Sequence, residues 1–90
     1  IETGILAGRY LAGINDPIKL EDAMIASYNG GAGNLWRSLN SSGNRKQAID
    51  RINMMTTREF YWFLTNRHIR SETRDYVRKV RTKMAKYAGL

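Results

Sequence analysis

EDAMIASYNGGAGNLWRSL, residues 21–39, is the stretch on which the fold turns. Leu20, Ala23, Met24, Ser27 and Tyr28 recur at three- and four-residue intervals, which places them on one side of a helix running from about Leu20 to Tyr28. Glycine then takes three of four positions, Gly30, Gly31 and Gly33. One glycine is enough to end a helix, because it enters the left-handed region without a Cβ clash. The other two imply a loop that something approaches closely, with Tyr28 and Asn29 at its rim. Leu35, Trp36 and Leu39 beyond it form the apolar set of a short helical turn.

Helical spacing continues in both directions. Upstream, Leu6, Tyr10 and Ile14 form one stripe, and Gly4, Gly8 and Ala12 form a second that admits a close helix neighbour. NDP at 15–17 interrupts this, since proline lacks the amide hydrogen and its predecessor avoids the α region. Downstream, NSSGN at 40–44 reads as a polar turn. RKQAIDRINMM at 45–55 returns to helical spacing with Ala48, Ile49, Ile52 and Met55. TTREFYWFLTN at 56–66 carries Phe60, Tyr61, Trp62 and Phe63, whose first expectation is the core, with Tyr61 or Trp62 available to a groove edge. In RSETRDYVRKV at 70–80, Ser71 reads as an N-cap and Glu72 suits the positive end of the helix dipole. Tyr76, Val77, Val80, Met84, Tyr87 and Ala88 then trace an inward stripe. No useful strand alternation appears, so the expected fold is all-α: a single domain over residues 1–90, a compact bundle of about five to six helices.

Composition narrows the function classes. Ninety residues make one small core, burying only about 60–65% of the unfolded surface. There is no cysteine and one histidine, His68, so neither a disulfide framework nor a metal centre is expected, and no cofactor is implied. No apolar run approaches the roughly 20 residues of a membrane span. The net charge of +7 is concentrated between residues 67 and 86, where eight lysines and arginines face Glu72 and Asp75. Such a cluster suits nucleic acid, anionic lipid or an anionic polymer such as peptidoglycan, and equally a solvated helix face. No nucleic-acid motif accompanies it, so a basic helical nucleic-acid-binding module remains the alternative on charge alone.

Three motifs in order, TGILAGRYL, EDAMIASYNGGAGNLWRSL and ETRDYVRKV, resemble the second half of the soluble lytic transglycosylase (SLT) domain, the goose-type-lysozyme-like fold. The resemblance covers essentially the whole chain, although NSSGNRKQAIDRINMM is longer than the usual linker. It implies a peptidoglycan glycan strand as partner, with cleavage of the β-1,4 bond between N-acetylmuramic acid and N-acetylglucosamine. The family's acid is a glutamate in a Glu-Ser motif ahead of a Gly-Leu-Met-Gln stretch, and both are absent; Glu2 stands in the wrong place for it. The expectation is therefore the C-terminal half of the domain, with no catalytic residue in this chain, the general acid upstream of Ile1, and the missing N-terminal half as a second partner.

The family chemistry accounts for the residue types at the glycine-rich turn. A protonated carboxyl donates to the leaving oxygen, and an apolar site that raises its pKa favours that role. The resemblance implies that the sugar's own C6 hydroxyl, and not a second carboxylate, attacks to give a 1,6-anhydro product. Tyr28 and Asn29 match the family's Tyr-Asn pair near the acid and the sugar, and Glu72 and Tyr76 match residues on the opposite wall of the groove. These four are the candidate substrate-binding residues. Each also has a plain structural role open to it: Tyr28 and Tyr76 as core aromatics, Asn29 as a helix-ending residue, Glu72 as a dipole-compensating one. The setting so implied is the cell wall or periplasm, as a bacterial enzyme or as a phage virion or secretion-apparatus module; a further alternative is a glycan-binding or virion structural piece that keeps the fold without catalysis.

Overall fold

A computed structural model of the chain describes residues 11–88, and these carry five helices and no strand. They are α1 (Pro17–Gly30), α2 (Ala32–Leu39), α3 (Arg45–Met54), α4 (Thr57–Asn66) and α5 (Ser71–Ala88). The all-α expectation holds. The first predicted helical segment lies largely outside the described residues, as does Glu2.

The helix starts follow from short polar side chains. Pro17 does not merely end what precedes it: it is the first residue of α1, and Asp16 Oδ1 accepts the Ile18 amide at 2.9 Å as the N-cap. Asn44 caps α3 by accepting the Gln47 amide at 2.9 Å. Thr56 and Glu59 form a reciprocal capping box on α4, at 3.1 and 2.9 Å. Ser71 is not the cap of α5, contrary to the sequence reading. It is already helical, and the Arg70 carbonyl accepts the Arg74 amide one position earlier.

Helix α1 packs against α2, α4 and α5; α5 also lies on α4, and α2 on α3. The buried core contains Ala23 and Ala26 of α1, Leu35, Trp36 and Leu39 of α2, Ala48, Ile49 and Ile52 of α3, Phe60, Phe63 and Leu64 of α4 and Val77 of α5. Two of the four clustered aromatics behave otherwise: Tyr61 is half-buried and Trp62 is 53% exposed. Trp62 lines a shallow groove with Met55, Arg58, Glu59 and Phe63, and the Arg67 guanidinium lies over its ring at 5.6 Å.

The inward stripe of α5 stops early. Val77 is buried and Tyr76 and Val80 are half-buried, whereas Met84, Tyr87 and Ala88 are exposed. Among the described residues Arg81 is the last of α5 with a hydrogen bond to another helix, and every residue from Thr82 to Ala88 is exposed.

Two cations, buried Lys19 and half-buried Arg81, tie the layers together. Lys19 Nζ donates to the Ile52 and Met55 carbonyls at 2.9 and 2.8 Å, so a side chain of α1 closes the C-terminal end of α3. Arg81 of α5 binds Asp22 through Nε at 2.6 Å and also pairs with Glu21, joining α5 to α1. Asp22 is only 1% exposed. Burial of a carboxylate calls for such a partner.

Candidate functional site

The C-terminal end of α1 meets the N-terminal end of α5, and all four candidate residues gather there. Tyr28 and Asn29 are not on a loop: both lie in the last turn of α1, and a single residue, Gly31, separates α1 from α2. Gly31 adopts φ 81° and ψ 150°, a region essentially reserved for glycine. Its amide donates to Ser27 O at 2.8 Å and its carbonyl accepts the Leu35 amide at 3.3 Å, so one residue ends one helix and begins the next.

The close approach inferred for the glycines is real at Gly30, but the protein itself makes it. A Cβ at Gly30 would stand 2.5 Å from Thr73 Oγ1 and 3.2 Å from His68 Cε1. Glycine lets α5 touch the backbone of α1 at this point. Gly33 has no such neighbour, only the flexible Arg37 guanidinium at 3.7 Å.

Tyr28 stacks on Tyr76 with ring centroids 6.3 Å apart and planes inclined by 19°. Tyr28 is 69% exposed, which removes the core reading for it, while Tyr76 is half-buried. With Glu21, Met24 and Ile25 the two rings line an open groove along α1 and α5. Glu72 stands one turn before Tyr76 on the same face of α5.

A polar network borders the rings. Asn29 Oδ1 accepts the Thr73 hydroxyl at 2.8 Å, and Asn29 Nδ2 approaches Glu72 Oε1 at 3.5 Å. Arg70 joins both partners, donating to the Asn29 carbonyl at 3.2 Å and pairing with Glu72 at 3.1 Å. Glu72 is thus a solvent-exposed, ion-paired carboxylate, unlike the apolar setting that favours a protonated acid. The other acidic residues near α1 are also engaged, Glu21 and Asp22 with Arg81.

Beneath this network lies His68, fully buried, with Nδ1 accepting the Arg70 amide at 3.1 Å. Burial lowers its pKa below the ordinary histidine value, and the guanidinium charges of Arg70 and Arg74 add to that. Among the described residues its Nε2 has no hydrogen-bond partner. No cluster of three or more His, Cys, Asp or Glu residues able to hold a metal ion occurs among them either.

No protein-family model matches the chain. Curated relatives do. The membrane-bound lytic murein transglycosylase C of Cronobacter sakazakii is 39% identical over 92 residues, covering 97% of this chain. The protein of the same name from Pectobacterium atrosepticum is 40% identical over 83 residues, covering 92% of it. The chain is thus similar to a segment of lytic murein transglycosylases. It spans about a quarter of the length of those relatives, 25% and 23% respectively.

Much of the basic cluster is engaged within the protein. Arg70, Arg78 and Arg81 are ion-paired with Glu72, Asp75 and the Glu21–Asp22 pair, and Arg67 lies over Trp62. Lys79, Lys83 and Lys86 are exposed on α5. No helix among the described residues is long and apolar enough to cross a membrane.

Sequence reasoning overlooked Arg70, His68 and Thr73. Thr73 carried a usable signal: it lies four residues before Val77 on the face of α5 that turns inward, and a hydroxyl on a buried face needs a partner.

Proposed function

We propose that this chain forms the substrate-binding wall of a peptidoglycan lytic transglycosylase, a lyase that opens the MurNAc–GlcNAc β-1,4 bond and leaves a 1,6-anhydroMurNAc end. The observation that carries the reading is the pairing of Tyr28 with Tyr76 beside the Asn29–Glu72–Arg70 network, in a chain about 40% identical to lytic murein transglycosylases. Exposed aromatic faces beside hydrogen-bonding groups suit a sugar, which presents apolar C–H faces and a rim of hydroxyl and acetamido groups. Tyr28, Asn29, Glu72 and Tyr76 are the residues proposed to touch the glycan.

The general acid is supplied from outside these 90 residues, by a glutamate preceding Ile1 in the longer protein, of which this chain is the C-terminal part of the SLT domain. Within the described residues, Glu21 and Glu72 are ion-paired and Glu59 is held in the capping box of α4. The chain's share of the chemistry is to seat the glycan and orient the reacting sugar, so that its C6 oxygen bonds to C1 as the glycosidic C1–O bond breaks, the leaving oxygen taking the acid's proton and the resulting carboxylate taking the proton of the C6 hydroxyl.

The test compares the isolated chain with the longer protein on purified sacculi, following turbidity and the mass spectrum of released muropeptides. The isolated chain is expected to bind sacculi without clearing them, and the longer protein to release 1,6-anhydromuropeptides. Release of anhydromuropeptides by the isolated chain would refute the assignment of the acid. Hydrolysed, non-anhydro products from the longer protein would refute the lyase reaction.

A further inference from the structure

We infer that Thr73 is a positioning residue that fixes the side-chain amide of Asn29 with its NH2 edge toward Glu72, making Asn29 a hydrogen-bond donor to an acceptor oxygen of the ligand. An asparagine amide offers two opposite edges, an acceptor oxygen and a donor nitrogen, and a flip exchanges them. The Thr73 hydroxyl removes that freedom, since it donates to Asn29 Oδ1 at 2.8 Å from a fully buried position. The nitrogen is left on the side of the exposed Glu72 carboxylate, 3.5 Å from Oε1.

Two further contacts make the orientation rigid. Arg70 holds the Asn29 carbonyl at 3.2 Å while pairing with Glu72, so the residue is anchored through both backbone and side chain to the start of α5. Gly30 admits Thr73 to this position, because a Cβ there would lie 2.5 Å from the hydroxyl oxygen. A threonine within a helix commonly turns its hydroxyl to the carbonyl a turn behind. Here it crosses to another helix.

Under the glycan reading, on which the choice of ligand rests, the atom recognised is a carbonyl or hydroxyl oxygen, and an N-acetyl carbonyl is the best acceptor of that set. The orientation itself is tested without ligand, by NMR of the 90-residue chain. The Asn29 Nδ2 protons should show contacts to Glu72 and none to the Thr73 methyl; contacts to that methyl mean a reversed amide and overturn the inference. Thr73→Ser keeps the hydroxyl and should leave the Asn29 amide signals in place. Thr73→Val deletes it and should shift or broaden them. Unchanged signals in Thr73→Val would overturn the inference as well.

A chitooligosaccharide titration supplies the functional arm. Thr73→Ser should bind within about twofold of the parent, and Thr73→Val about three- to tenfold more weakly, the range expected for one net hydrogen bond. Equal affinity in Thr73→Val, with the fold retained, removes the positioning role. If the parent chain binds no chitooligosaccharide, the glycan reading fails while the amide signals still decide the role of Thr73.

Discussion

Gly30→Ala sets helix propensity against packing, and the structure decides the sign. Alanine in place of glycine within a helix ordinarily gains about 0.5–1 kcal/mol. Here the added methyl would meet Thr73 Oγ1 at 2.5 Å and His68 Cε1 at 3.2 Å, both on buried side chains of the neighbouring segment. Relief requires α5 to back away from α1 or Thr73 to abandon Asn29. Overpacking of this kind costs about 1–3 kcal/mol. A lost hydrogen bond adds about 1 kcal/mol. The net is a destabilisation of about 1–3 kcal/mol, which for a domain of this size lowers Tm by roughly 5–20 °C. Thermal melting by circular dichroism reads it directly. Gly33→Ala is the control, since its nearest foreign neighbour is the movable tip of Arg37 at 3.7 Å, and it should melt at or slightly above the parent. A Gly30→Ala protein that melts as high as the parent would show that α1 and α5 do not touch at this point, and the reasoning about Asn29 and Thr73 would fall with it.

In a longer protein that carries the proposed upstream acid, Tyr28→Phe keeps the stack on Tyr76 and deletes only the hydroxyl; turnover of sacculi should fall on the order of ten- to a thousandfold, about 1.5–4 kcal/mol, with little change in melting. A lowered Tm with turnover intact would instead make Tyr28 structural. His68 predicts a pH dependence: its folded pKa is lowered, so the unfolded chain takes up a proton that the native state refuses, and the stability contribution is full above about pH 6.5 and lost as pH falls through the folded value. Urea midpoints between pH 7.5 and 5 should decline accordingly, and His68→Gln should flatten that slope; an equal slope in the variant would remove His68 as its source. Lys19→Met preserves length but leaves the Ile52 and Met55 carbonyls without their donor, and should cost about 1–3 kcal/mol in the urea midpoint. An unchanged midpoint would mean that water serves those carbonyls equally well.

The sequence was most readable where one helix face carries its own periodicity. Leu35, Trp36 and Leu39 were assigned as a buried set from spacing alone, and all three are buried. Helix ends were less legible, because a cap depends on a side chain and an amide two or three residues away. NDP was read as an interruption, whereas Asp16 and Pro17 also make the start of α1. Gly30, Gly31 and Gly33 read as a loop in the sequence because composition does not reveal that one residue can turn the chain between two helices. The α5 stripe is legible in direction but not in extent, since spacing gives a face and says nothing of how far along it the neighbouring helices cover it. For the site, resemblance named Tyr28, Asn29, Glu72 and Tyr76, and folding brought them together. It gave no hint of Thr73 or Arg70, which touch Asn29 across more than 40 positions of sequence.

The single-residue corner at Gly31 also limits how this surface can vary and move. With no spare residues between α1 and α2, an insertion or deletion there would rotate one helix about the other's axis by roughly 100° per residue and scatter the set that Tyr28 and Leu35 serve on its two sides. Length at this corner is therefore fixed in a way that the polar turn at 40–44 is not. Mechanically, the corner has no slack for a lid-like swing, so the aromatic wall travels with the core behind it. Under the proposed glycan reading, a ligand docked there would meet a backbone with no slack at this corner, so little backbone ordering entropy would be lost on binding.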